Sequence, residues 1–585
     1  MALIPQGTTG AATGATTIRL LLVVIASFTL IGGVARFSGL GVRDFWYDES
    51  CSFLYVEHLW DWAADGRLWS ESTNLPYYVL LKGWVALWGE SEATYRSLSA
   101  LSATLTIPLL AGVCWQLGGR WAGVTGAVLL ALHPLHVHYA HEARAYAVWV
   151  LLLSAALCAL IEAARRPGWR WWTVYGLLIL ACLHVHYFSI YFLAAGCGCV
   201  FLSSNRAACL RRWAATSAAV VLAFVPYALV AVLPAARGGG GTWIADSFDP
   251  LTAIPESLWA FLPAGAYPAH LRGLSRASVD TMQIGSPIVV GLTEVLPAII
   301  VGLALMVVAV RAADFGPRGL KSAARLGSLD GMRAARKDAI VGIGVMALGA
   351  LLLPWLYSMA IRPHYLPGRY DLVAFPAFIV GMSVVLTEAA CSFRERWRPW
   401  ILTCVLAGLV SCESLPLARM RALRPPPSFH RLRAERLAKV SAVGDLAIVF
   451  SYDHEYLAFY LHRAGFRGSV ASFPTWLDRQ IGWVDDRQDL EALRRSAVAE
   501  DAARLAQRVR NTLELGLSVF VLGDSIDPRG DGPRSAIHEE LSEALRLAGL
   551  RQRVYDAAML MWIIERQAEP LSTPNERAEE EGAGR

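Results

Sequence analysis

Charge is what this chain has least of. Only 17% of its 585 residues are Asp, Glu, Lys or Arg, whereas soluble domains carry about a quarter. A soluble globular protein of this length is thereby excluded. The net charge of +5 is small for the length. It leaves room for an anionic lipid or phosphate and gives no sign of nucleic acid as a partner. All ten cysteines precede Leu415, and none has metal-finger spacing. They read as small buried hydrophobes, Cys197 and Cys199 included. A phosphate loop is also lacking. The glycine run 238–241 has no strand before it and no Lys-Ser/Thr after it, so it reads as a flexible loop.

In place of charge the chain has hydrophobic residues, 55% of the total. Residues 101–114, 123–132, 147–160, 214–233, 288–310, 339–353, 372–386 and 401–410 hold almost no charge. With its flanks, each run is long enough to cross a hydrocarbon core roughly 30 Å thick. The expected fold is a multipass α-helical membrane protein of about eleven spans. These lie near 17–36, 98–117, 121–139, 144–163, 171–187, 188–203, 213–234, 287–310, 339–361, 370–391 and 400–417. The first is too long for a signal-peptide core and lacks a small-residue cleavage site, so it reads as retained. Residues 1–16 before it read as a flexible N-terminus.

Lys and Arg alternate between the short loops. Arg120, Arg165, Arg166, Arg170, Arg206, Arg211, Arg212, the basic loop 311–338, Arg394, Arg396 and Arg398 fall on one side. The positive-inside rule puts that side, and the N-terminus, in the cytoplasm. It puts 37–97, the turn 139–143, 236–286, 362–369 and everything after 417 outside. Arg419, Arg421, Arg424, Arg431 and Arg433 run against the rule, but a following soluble domain translocates regardless of charge.

That domain is expected over 436–567, after a linker at 418–435. Strands are expected at 445–451, 518–522 and 559–564, and helices at 454–464, 489–515 and 537–548. The alternation predicts a small α/β domain. Residues 568–585 are acidic and poor in apolar side chains, so they read as disordered.

The unusual residues gather on the outer side. Segment 37–97 is rich in Trp and Tyr, which favour the membrane interface, and two surface helices are expected at about 50–65 and 76–88. It opens on the acid pair Asp48-Glu49. Such a pair beside a span is costly to keep without a use. Two readings stand, a cap for the helix that follows and a general base. At the outer turn of spans three and four lie His138, His141, Glu142, Arg144 and Tyr146. Arg144 at a positive helix end needs an anionic partner, whether Glu142, Asp48, Glu49 or a ligand phosphate. A third cluster holds Arg362, His364, Tyr365, Arg369, Tyr370 and Asp371. The arginine fork suits phosphate, although cations at interfaces also snorkel. His136, His138, His141, His184 and His186 read as hydrogen-bonding side chains, with a metal site the other reading. Gly523-Asp524-Ser525 follows a strand, where α/β domains often bind ligands, but it has no partner motif.

Four stretches carry a resemblance. WYDES (46–50), LPYYVLLKGWVALWGESEATYRSLSAL (75–101), HYAHEARAY (138–146) and RYDLVAFPAF (369–378) are similar to motifs of the family 39 glycosyltransferases. That family belongs to the C superfamily with protein O-mannosyltransferases and the aminoarabinose transferases of lipid A. The resemblance spans 17–417. It implies an inverting transferase that moves a monosaccharide from a polyprenyl-phosphate donor to a hydroxyl on a lipid, glycan or protein acceptor. It implies catalysis on the outer face of a bacterial inner membrane, without a cofactor or a required metal. Asp48 would be the base, with Glu49 beside it. Arg144, Glu142, His138, Tyr146, Arg369 and Tyr370 would bind the donor. Relatives often carry His-Pro-Pro or Lys-Pro-Pro where Asn74-Leu75-Pro76 stands, and some carry Arg where Cys51 stands. Donor binding would then lean on Arg144 and Arg369. A polymerase or ligase of lipid-linked glycans is the alternative within this chemistry. A transporter is disfavoured, because the span centres are apolar.

Overall fold

A computed structural model describes residues 8–64, 74–166, 168–233, 248–262, 329–422, 427–450, 453–475, 495–523 and 533–567, with single positions at 244, 299 and 303. The expected loop at 238–241, most of the span at 287–310, most of the loop 311–338, Asp524, Ser525 and the tail 568–585 lie outside the described residues. The chain forms two compact units. One comprises Met1–Arg43 and Leu68–Pro425, the other Asp44–Arg67 and Pro426–Arg585.

The first unit is helical. Among the described residues, five helices are long and apolar enough to cross a membrane: Ile18–Phe37, Glu92–Gly118, Tyr146–Arg165, Arg206–Val232 and Asp338–Ala360. Shorter apolar helices occupy Arg120–Ala131, Arg170–Val185, Ser189–Leu202, Phe375–Cys391 and Trp400–Ser411. The unit is thus a multipass arrangement of apolar helices.

Two departures from regular spans shape it. The expected span 121–139 is broken. A helix ends at Ala131, and a second, Pro134–Ala140, starts after His133 takes φ −55° and ψ 117°. Proline lacks the N–H that would continue the helix and drives the preceding residue out of α geometry. The carbonyls left open are met by Arg36, which is fully buried. Its guanidinium donates to Ala131 O at 2.6 Å, Leu130 O at 2.7 Å and Gly32 O at 2.9 Å, and lies 2.8 Å from His136 Nδ1. Next to Ser189–Ala195 the chain tightens into a 3-10 turn over Gly196–Leu202. A Cβ at Gly198 would stand 2.8 Å from Gly342 O, so two backbones touch there and only glycine fits.

The second unit is built on a five-stranded sheet. Its strands are β1 (Leu446–Phe450), β2 (Ser469–Phe473), β3 (Val519–Leu522), β4 (Leu550–Asp556) and β5 (Met561–Arg566), in the order β2-β1-β3-β5-β4. β1 pairs in parallel with β2 and β3, while β5 runs antiparallel to β3 and β4. Every residue of β1 is buried, which explains its unbroken apolar run. Leu446, Ile448, Val519 and Val521 pack with Leu505 and Val509 of helix Arg495–Glu514 and with Leu541 and Leu545 of helix Pro533–Leu547. Strands β2 and β4 are not evident in the sequence. β2 is half polar, and β4 carries Arg551 and Arg553 at an edge, where they face Glu565 of β5 at 3.2 and 2.8 Å. Cross-strand ion pairs and edge charges suit such a strand.

Candidate functional site

The expected site residues fall on two sets of elements, one in each unit. In the first unit the turn 141–145 joins helix Pro134–Ala140 to helix Tyr146–Arg165. Glu142 and Arg144 therefore lie before the helix instead of in its first turn. Glu142, only 7% exposed, has Oε1 3.0 Å from His138 Nε2. Arg144 donates to Tyr78 Oη at 3.2 Å. The acid nearest in sequence to Arg144 is thus engaged by histidine, and the arginine turns to helix Leu75–Trp88.

The late Arg-Tyr element meets the start of helix Tyr146–Arg165. Arg369 is 7% exposed, and its Nε donates to Tyr146 Oη at 2.5 Å. Its guanidinium carbon lies 5.4 Å from the Tyr146 ring centre and 5.7 Å from that of Tyr370, within cation–π range. Gly368 has φ +72°, a left-handed conformation that favours glycine. Its N–H donates to the buried Asp371 carboxylate at 2.8 Å, and its carbonyl accepts from Tyr139 Oη at 2.5 Å. The loop that aims Arg369 is therefore held from both sides. Of the expected donor residues, the structure joins Tyr146, Arg369 and Tyr370 into one cluster and His138 with Glu142 into another.

Several contributors were not among the expected donor-binding residues. His186 stacks on Trp149 at 4.2 Å and stands 5.4 Å from Tyr370. Ser257 and Tyr365 share a 2.6 Å hydrogen bond beneath the same loop. Tyr139 and Asp371 fix Gly368. Only the three-residue spacing of Gly368 and Asp371 was a local signal, because a carboxylate can accept a nearby backbone N–H. The histidines go separate ways. His133 meets Phe261 O at 3.1 Å, His141 meets Ala35 O at 3.3 Å and His184 meets Leu180 O at 2.8 Å. Among the described residues, no three His, Cys, Asp or Glu side chains group as metal ligands would. In the turns at 141–145 and 362–369 burial pushes His141 and His364 down to about 4, neighbouring arginines adding to the effect. Both are neutral at physiological pH. Tyr191 Oη lies 2.9 Å from His364 Nε2, and the His364 ring stacks on Tyr357 at 4.4 Å.

In the second unit Asp48 and Glu49 occupy the first turn of helix Tyr47–Glu57. Acids are favoured there by the helix dipole. Glu49 is 1% exposed and its Oε2 stands 3.4 Å from the Trp46 N–H, the back-reach of a capping residue. Asp48 is half-buried. The two acids therefore differ: Glu49 is turned to its own helix start and Asp48 is the more accessible.

No curated protein matches the chain. Solved structures similar to it include two at 13% identity. The Archaeoglobus fulgidus oligosaccharyltransferase, in complex with Zn and sulfate, covers 90% of this chain and is itself covered over 70%, with a TM-score of 0.47. ArnT from Cupriavidus metallidurans bound to undecaprenyl phosphate covers 93% and is covered over 99%, with a TM-score of 0.44. Residues 75–230 match the family described as dolichyl-phosphate-mannose-protein mannosyltransferase. This segment contains the motifs at 75–101 and 138–146.

Proposed function

We propose that the chain is an inverting glycosyltransferase that moves a monosaccharide from a polyprenyl-phosphate donor to an acceptor hydroxyl on the outer face of the bacterial inner membrane. The observation that carries this reading is the match of 75–230 to a family whose description names a dolichyl-phosphate-linked sugar. The reading includes the full set of about eleven spans, with the N-terminus inside and the C-terminal domain outside, on the Lys and Arg asymmetry of the loops.

In this mechanism the Asp48 carboxylate accepts the proton of the acceptor hydroxyl. The acceptor oxygen attacks the anomeric carbon from the face opposite the phosphate. The new glycosidic bond forms as the bond from carbon to phosphate oxygen breaks, and its electron pair leaves with the polyprenyl phosphate. The configuration inverts. Arg369 and Arg144 offset the leaving charge, Arg369 from a guanidinium already oriented by Tyr146. Glu142, His138 and Tyr370 complete the donor contacts. No step requires a metal or an added cofactor.

The test is a reconstituted assay with a monosaccharide polyprenyl-phosphate donor, following release of polyprenyl phosphate. Wild-type protein is expected to release it only with acceptor present, and folded Asp48→Asn protein to release none. Near-normal turnover by Asp48→Asn overturns the assignment of the base.

A further inference from the structure

The helix that bears the acid pair folds with residues far from it in sequence. Phe45, just before that helix, donates its N–H to Tyr460 Oη at 2.6 Å across 415 positions. The Asp44 carboxylate accepts the Ser428 N–H at 2.5 Å and lies 3.3 Å from Arg431 Nη1. The Phe459 ring sits 4.5 Å from Phe45 and 5.2 Å from Phe53. Tyr456 lies 5.5 Å from Tyr47, and Tyr47 Oη stands 3.4 Å from Glu455 Oε1. These partners occupy two helices, Phe429–Val440 and Asp453–Arg463. His430 of the first stacks on Tyr456 of the second at 4.3 Å and 2°. The second helix follows β1 directly. Phe459 and Tyr460 are 1% and 2% exposed.

The contacts are aimed at the start of the acid helix. Residues 44, 45 and 47 are each gripped, on both sides of the N-cap Trp46, and Asp48 comes next. A helix of eleven residues is too short to hold itself in water, so this grip decides where its first turn lies. We infer that the C-terminal α/β domain serves as the mount for the acid helix, with Tyr460 and Phe459 as positioning residues for Asp48. This rests on the proposed role of Asp48 as base and adds a duty for the domain. Reaction rate is sensitive to such placement, since a shift of about 1 Å in a reacting group costs on the order of a hundredfold.

The experiment uses the full-length protein in detergent or lipid. Tyr460→Phe removes only the hydroxyl that accepts the Phe45 N–H and preserves the ring. It is expected to speed amide exchange over 45–50 and to lower kcat while leaving KM for the donor within about twofold. Phe459→Ala is expected to do the same more strongly, and Phe459→Leu to restore most of the rate. Unchanged exchange over 45–57 in both Tyr460→Phe and Phe459→Ala overturns the mount. So does faster exchange with kcat unaltered, or a fall in donor affinity with kcat preserved. Exchange is read without turnover. An active Asp48→Asn protein would therefore remove the base assignment, while the exchange result would still report on the mount.

Discussion

At the scale of single residues, the two arginines of the proposed donor site differ in what already holds them. Arg369 is buried, donates to Tyr146 and lies near two aromatic rings. Arg144 has a 3.2 Å bond to Tyr78. The planar fork that makes those contacts is not reproduced by a lysine. Arg369→Lys is expected to raise the donor KM and lower kcat together, by on the order of tenfold or more in kcat/KM. Tyr146→Phe is expected to be milder, because it removes one bond and keeps the ring; steady-state kinetics on both variants would check the order. His141 and His364 give a pH signature. Each is held near 4 when folded, below the unfolded value of about 6.5. The unfolded chain therefore binds more protons between those values, and stability rises with pH through the window. Thermal unfolding followed from pH 8 to 4 is expected to be level above about 6.5 and to fall below it. His364→Gln is expected to flatten part of that slope.

At the scale of elements, the break at His133-Pro134 divides the expected span 121–139 into two helices. One helix ends at Ala131, and the second, Pro134–Ala140, leads through the turn 141–145 into the helix that begins with Tyr146. Arg36 caps the interrupted helix by taking the carbonyls of Leu130 and Ala131. Buried carbonyls without a donor cost roughly 1–3 kcal/mol each, so Arg36→Met is expected to lower the unfolding temperature measurably and to loosen the 133–146 turn in amide exchange. Gly198 gives a second element-scale prediction. Gly198→Ala puts a methyl 2.8 Å from Gly342 O, and overpacking of this kind costs about 1–3 kcal/mol. A lower Tm in the same detergent is the expected result, and an unchanged Tm would mean that helix Leu329–Ala360 moves aside without cost.

At the scale of the whole molecule, the proposed orientation has a direct test. Val443 is exposed in the second unit and Ser204 is exposed between two helices of the first. In a background without native cysteines, Val443→Cys is expected to react with a membrane-impermeant maleimide on intact spheroplasts. Ser204→Cys is expected to react only after lysis. The reverse pattern would turn the proposed topology over. Most of the apolar helices were legible because each is a local property. A chain that meets hydrocarbon must close its own hydrogen bonds within a run of about twenty apolar residues, and such runs are visible without any partner. Asp48, Arg144 and Arg369 stand out in the sequence for a similar reason, as charge kept beside apolar runs; their roles belong to the proposed function. Strands β2 and β4 were not legible, since a half-polar or arginine-bearing segment becomes a strand only by pairing.

Sequence alone determined that this is a chain of apolar helices with a small α/β domain and an acid pair beside its first span. Composition and periodicity express those features within a few turns of any residue. The tertiary structure alone decided that Glu142 meets His138, that Arg369 is oriented by Tyr146, that Arg36 caps a broken helix, and that helix Tyr47–Glu57 packs on Asp453–Arg463. Apart from the first, each joins positions far apart in the chain. Burial is what selects such partners, because a buried polar group or aromatic face must find its complement wherever the fold brings one.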